Sequence, residues 1–228
     1  MDQILYWNAV ALESDRMAHT DTGGSRALAV VHLAMHDAIF SIFGAPHGTW
    51  LTAPPVAAPG AAPEAAIAVA AHTTLSALYP ERITRFDKAL REAGLRGPGT
   101  RRGGQQGQAV AHAILKARAD DPVDPESGRD TPHHGSADAP TRFCNLMTRE
   151  IAIVQGNDVE QNARLFALVN AALAGTVIRC GDDAACVGTT FRTIVGYYYA
   201  AADGFESLTD DLWAAGLRQD QAAGPRVP

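Results

Sequence analysis

His32 and His36 stand an i, i+4 step apart on one apolar stretch, a spacing that turns two imidazoles to the same side of a helix and suits a shared metal ion. A metalloprotease helix would place a glutamate between them. Here the intervening residues are Leu33, Ala34 and Met35, and Asp37 follows. The residues favour a partly buried, hydrogen-bonded pair over the alternative, a metallohydrolase centred on His32 and His36. Cys180 and Cys186, with Cys144, are too few and too late for a disulfide framework. No second Cys/His pair completes a zinc set around them, so they are expected to be thiols and no metal is assigned. Gly94 to Gly99 and Gly103-Gly104, interleaved with Arg96, Arg101 and Arg102, suggest a phosphate-cradling loop. The Gly-Lys-Ser/Thr ending of such a loop is missing, which leaves a solvated basic loop before a helix. His133-His134, Asp120-Asp121 and Asp182-Asp183 read as solvent-facing, and Tyr197-Tyr198-Tyr199 as packing rather than a binding patch.

The elements that must position these residues follow from apolar spacing. Ile4, Trp7, Val10, Ala11 and Met17 predict a helix over 4–18. Thr22-Gly23-Gly24-Ser25 breaks the pattern, with Ser25 as N-cap of a second helix carrying Leu28, Val31, Met35, Ile39 and Ile42. Five prolines between 46 and 63 exclude regular helix there. Further helices are expected at about 64–78, 81–93 and 104–119, with Pro80 at a helix start and Gly94 as a C-cap. Residues 120–140 read as an exposed linker. The clearest helix runs from about 159 to 178, opened by an Asp158/Gln161 capping box and lined by Val159, Phe166, Val169 and Leu173. Beyond Cys180, Gly181, Gly188 and Gly196 interrupt the pattern, and 218–228 read as a frayed tail. The fold class is therefore all-α, one helical bundle of about six or seven helices over 1–217.

A net charge of −6 argues against a nucleic-acid partner, which calls for a basic face. Met1-Asp2-Gln3-Ile4 shows no leader pattern, and no run is expected to approach the ~20 apolar residues that span a bilayer. The expectation is a cytoplasmic protein with no membrane partner.

Several segments, in order, resemble the bacterial vanadium haloperoxidase-like family, relatives of the type 2 phosphatidic acid phosphatases. They are Trp7 to Glu13 (WNAVALE), Arg26 to Ala38 (RALAVVHLAMHDA), Ala71 to Pro80 (AHTTLSALYP), Gly107 to Ala111, and Arg149-Glu150-Ile151-Ala152 with Gln155-Gly156-Asn157, continuing through Asn162 to Leu168. The resemblance implies a helical bundle that cradles vanadate or phosphate. In that family the pocket is built from a lysine, an arginine in an Arg-Pro pair, a Pro-Ser-Gly-His segment, and a late Ser-Arg followed by histidine. A charged oxyanion in a dry pocket needs several fixed cations, for which arginine supplies a planar fork. One histidine would act as nucleophile or metal ligand and another as the acid–base group.

Carried over residue by residue, the resemblance places Phe191 to Gly196 (FRTIVG) on the aromatic-Arg-Pro segment, with Arg192 as a remnant pocket arginine and Thr193 where proline stands. The family's lysine position then falls on Ala185, or on Ala184 if anchored at Cys180 and Asp182. No lysine follows Lys116 and no histidine follows His134, and Pro125-Glu126-Ser127-Gly128-Arg129 is not the Pro-Ser-Gly-His segment. The expectation is a truncated or degenerate haloperoxidase-family protein, inactive as given. It has no catalytic residue assigned and no cofactor, whereas the intact family takes vanadate. The alternative is a non-catalytic helical interaction module that self-associates. A homo-oligomer is expected, through an exposed apolar face on 159–178.

Overall fold

Asp2 opens the first helix, its carboxylate accepting the Leu5 N–H at 2.9 Å and so satisfying one of the N–H groups a helix start leaves unpaired. The computed structural model describes residues 1–17, 24–44, 48–120, 139–180 and 183–200. Among them lie eight α-helices: α1 (Gln3–Met17), α2 (Gly24–Phe43), α3 (Pro63–Leu78), α4 (Ile83–Glu92), α5 (Thr100–Ala117), α6 (Ala139–Val154), α7 (Val159–Cys180) and α8 (Ala184–Tyr198). A single 3-10 turn, Pro80–Arg82, precedes α4, and the described residues contain no strand. The fold is all-α.

Local signals set most boundaries. Pro63 starts α3, where a missing N–H costs nothing. Pro80 starts the 3-10 turn rather than α4 itself. Gly94 follows the α4 C-cap Ala93 with φ 68°, the left-handed conformation a side chain would resist. The capping box of α7 forms in both directions: Gln161 N–H donates to Asp158 Oδ1 at 2.8 Å, and Asp158 N–H to Gln161 Oε1 at 2.9 Å.

Helix α2 is the axis of the protein. Its residues from Ala27 to Phe40 are buried, including Val31, Met35 and Ile39 at full burial, and it packs against α1, α3, α5 and α7. Burial on every side explains why this helix is apolar all round rather than on one stripe. Against expectation, both α2 and α7 are long and apolar enough to cross a bilayer by length and composition, yet 78% of the apolar window of α2 is buried inside the protein. Helix α5 crosses α3 in backbone contact. A Cβ on Gly103 would stand 2.1 Å from the Ala62 carbonyl oxygen, and one on Gly107 2.1 Å from that of Ala66. Only glycine permits this approach, which seals Ala66, Ala70, Val110, Ala111 and Ile114 into one apolar cluster.

Several expectations need correction. Ser25 is no N-cap: α2 already includes Gly24, and Ser25 is buried in its first turn. Gly103 and Gly104 belong to α5, which starts at Thr100, so no loop reaches them. The weak pattern after Cys180 hides a full helix, α8, whose Val187, Phe191 and Val195 enter the core. Its start is capped by Asp183, which accepts the Cys186 N–H at 2.7 Å. Counting α6 and α8, the bundle exceeds the six or seven helices expected. The face of α7 expected to lie bare is covered, with Phe166, Val169 and Leu173 fully buried. The linker expected over 120–140 falls, apart from its ends, outside the described residues, as does the tail at 218–228.

Candidate functional site

The most concentrated polar chemistry is a network in the bundle interior that joins α1, α2, α6 and α7. Asn8, His32, Asn145 and Asn170 are all at most 1% exposed. Asn8 donates both amide hydrogens, one to His32 Nε2 at 3.0 Å and one to Asn145 Oδ1 at 2.9 Å. Asn145 and Asn170 bond reciprocally, at 2.9 Å and 3.1 Å, and each returns its other N–H to its own helix, at the carbonyls of Thr141 and Phe166. Arg149 closes the network: its Nη1 donates to the Leu5 carbonyl and reaches Asn8 Oδ1 at 3.4 Å.

Because Asn8 has spent its amide as donor, His32 Nε2 must accept, so the ring is neutral with its proton on Nδ1. Burial, and secondarily the nearby Arg149 charge, hold the His32 pKa down at about 3. Phe166 stacks on the ring, centroids 5.2 Å apart. The lone pair a metal would need is thereby occupied.

His36 points elsewhere. Its Nδ1 lies 2.9 Å from Asp37 Oδ1, and Asp37 in turn accepts the backbone N–H of Trp50 and of Leu51, each at 2.8 Å. Fully buried Asp37 thus fastens the proline-rich strap over α2, aided by Gln106, which donates to Ser41 Oγ at 2.9 Å and to the Pro55 carbonyl at 2.7 Å. The i, i+4 pair is hydrogen-bonded and buried, as the residues favoured, but through two separate networks. Among the described residues, no group of three or more His, Cys, Asp or Glu side chains is placed to hold a metal ion.

The remaining candidates are dispersed. Cys180 and Cys186 are disulfide-bonded, Cα–Cα 6.6 Å, a correction to their reading as thiols. The last residue of α7 and the first turn of α8 bring them together, which their number and position in the sequence did not reveal. Cys144 is free and buried, and burial pushes its thiol pKa up. Arg192 is exposed on α8 beside buried Phe191. Arg101 and Arg102 line a hollow of about 360 Å³ at the start of α5 with Gly97, Gly99, Thr100 and Gln105, and Arg102 donates to the Gly60 carbonyl at 3.4 Å. A larger groove of about 750 Å³ between α1 and α4 has its cations paired: Arg82 with Glu81, Arg85 with Glu13, and Lys88 with Glu92. Tyr198 and Tyr199 do pack: the Tyr198 hydroxyl donates to the Gln161 carbonyl at 2.8 Å, and Asn157 Nδ2 donates to the Tyr199 hydroxyl at 2.5 Å. Tyr197 is 80% exposed. Asp183 caps α8, and Asp120 is exposed at the end of the α5 segment. His133-His134, Asp121 and Asp182 lie outside the described residues.

Residues 1–91 match the family model of the vanadium chloroperoxidase N-terminal domain. The N-terminal portion of this chain is vanadium haloperoxidase-like. The vanadium chloroperoxidase of Curvularia inaequalis is 50% identical over 46 residues, 17% of this chain and 8% of that protein. The chain therefore matches under a tenth of that relative's length. No solved structure matches. The haloperoxidase-like portion contains α1 to α4 almost entire, and so supplies Asn8 and His32 to the interior network. Asn145, Arg149 and Asn170 come from beyond it. Sequence reasoning passed over this network, although a polar residue inside an apolar helical face, such as Asn8 or Asn170, was the signal available.

The residues described do not fit vanadate. Both buried histidines have their partners within the protein, the cations of the groove between α1 and α4 are paired with its carboxylates, and the arginines at the start of α5 stand with no histidine lining the same hollow.

Proposed function

We propose that this chain is a helical framework of the vanadium haloperoxidase type and that, by itself, it neither binds vanadate nor carries out oxyanion chemistry. What supports this is the commitment of its interior polar groups. Asn8, His32, Asn145, Asn170 and Arg149 bond to one another and to backbone carbonyls. Arg26 and Arg142 likewise end on the carbonyls of Arg118 and Leu12, at 2.6 Å and 2.9 Å. These groups hold helices together. Arg192, exposed on α8, would meet an anion in bulk water, where one ion pair contributes about 0–1 kcal/mol. Oxyanion catalysis instead relies on several preorganised donors, and loss of one costs about 10²–10³ in rate.

The test is vanadate binding by 51V NMR, alongside halide oxidation with peroxide and phosphomonoester hydrolysis. The expected result is no saturable vanadate binding and no turnover above background, with Arg192→Ala indistinguishable from the parent. Saturable, vanadate-dependent turnover that disappears in Arg192→Ala would overturn the reading.

A further inference from the structure

Cys180 ends α7 and Cys186 lies in the first turn of α8, and the bond between them spans a sequence separation of 6. It is an accessible bond rather than a core staple. Cys180 is exposed and Cys186 half-buried, so an incoming thiolate can reach the sulfurs. Cys144, by contrast, is fully buried and is shielded from exchange with them.

What this bond holds is α8. That helix packs on α7 and α6 and brings Val187, Phe191 and Val195 into the cluster that also contains Leu173 and Val177. Its own propensity is poor, since Gly188, Gly196 and six β-branched residues stand among its 15. Docking therefore has to hold it in place. The two ends are fastened differently. Beyond the helix centre, the Tyr198 hydroxyl donates to the Gln161 carbonyl at 2.8 Å and Asn157 Nδ2 donates to the Tyr199 hydroxyl at 2.5 Å. At the start, the disulfide is joined by the Thr176–Thr190 hydroxyl bond at 2.9 Å. The Asp183 cap there is local to α8 and ties it to no other helix.

We propose that the Cys180–Cys186 disulfide is a redox latch: a dithiol reductant opens it and frees the first half of α8 from α7, while Tyr198 and Tyr199 keep the second half docked. One thiolate of the reductant attacks the exposed Cys180 sulfur, and the S–S bond breaks with its electron pair leaving on Cys186, which takes up a proton. The second thiolate of the reductant then displaces Cys180 from the mixed disulfide. The chain ends with two thiols and the reductant with one disulfide. Opening uncovers Val187 and, on α7, Val177, both otherwise buried. The latch is independent of whether the chain carries out oxyanion chemistry.

Hydrogen exchange with mass spectrometry on the full chain tests it, with and without dithiothreitol. Closing a loop this short is worth on the order of 10–100-fold in a local opening equilibrium. Amides of 187–191 are therefore expected to exchange about 10–100-fold faster after reduction, while those of α2, α3 and α5 stay as they were. Removing the dithiol and reoxidising the chain is expected to restore the slow exchange. Cys180→Ser/Cys186→Ser is expected to show the fast exchange without reductant and no further change with it. Unchanged 187–191 amides in the reduced parent would overturn the proposal. So would acceleration spread equally through α2 and α5, which would make the bond a staple of the whole bundle. Alkylation of Cys180 and Cys186 in chain purified without reductant would overturn it too, because no bond would then be present to open.

Discussion

Two neighbouring glycines in α5 are expected to respond in opposite directions to the same added methyl group. At Gly103, the new Cβ would stand 2.1 Å from the Ala62 carbonyl oxygen and 3.0 Å from both its carbonyl carbon and its nitrogen. Ordinary contact begins near 3.4 Å, so α3 and α5 must separate by about 1.3 Å. Every atom struck is backbone, so no rotamer change relieves the clash. Separation loosens the sealed cluster of Ala66, Ala70, Val110, Ala111 and Ile114. Overpacking of this kind costs typically about 1–3 kcal/mol, and the absence of a soft neighbour puts Gly103→Ala at about 3 kcal/mol or beyond. At Gly104, the Cβ meets only the Val69 Cγ2 methyl at 3.4 Å. There, replacing glycine inside a helix is expected to stabilise by about 0.5–1 kcal/mol, through the lower entropy of the unfolded chain. For a protein of this size, 1 kcal/mol corresponds to about 2–4 °C. Gly103→Ala should therefore lower Tm by roughly 6–12 °C, while Gly104→Ala leaves it unchanged or slightly raised. Urea unfolding followed by circular dichroism at 222 nm measures both variants. A Gly103→Ala variant within about 1 kcal/mol of the parent, or no weaker than Gly104→Ala, would refute the backbone-contact argument.

Two further outcomes follow from buried groups. His32 has a folded-state pKa of about 3, below its ordinary 6.5, so the unfolded chain binds the proton more readily. Its contribution to stability is fully present above pH 6.5 and is lost as pH falls towards 3, by up to about 1.4 kcal/mol per pH unit. His32→Gln keeps an acceptor for Asn8 without this titration. Urea midpoints between pH 6 and 4 are expected to fall less steeply in the variant, and parallel slopes would remove His32 as the cause. Thiol counting with a chromogenic disulfide reagent is expected to find none accessible in the native chain and one, Cys144, after unfolding without reductant. Three thiols under those unfolding conditions would contradict the Cys180–Cys186 bond.

The sequence alone determined the fold class and much of the element list. Helical spacing along α1, α2 and α7, the proline at the start of α3 and the Asp158/Gln161 box are local signals, and local signals need no partner to be read. The vanadium haloperoxidase-like character of the N-terminal portion was equally legible, because its segments are runs of contiguous residues. Tertiary structure decided what those residues do. His32 and His36 look like a pair along one helix, yet the groups that separate them, Asn8 bonded to one and the Trp50 strap held through Asp37 beside the other, come from distant parts of the chain. Gly103 reads as loop in isolation, because a helix-breaking residue has no visible compensation until α3 lies against it. Helix α8 was obscured for the same reason: Gly188 and Gly196 weaken its intrinsic propensity, and burial of Val187, Phe191 and Val195 in the shared core offsets that loss.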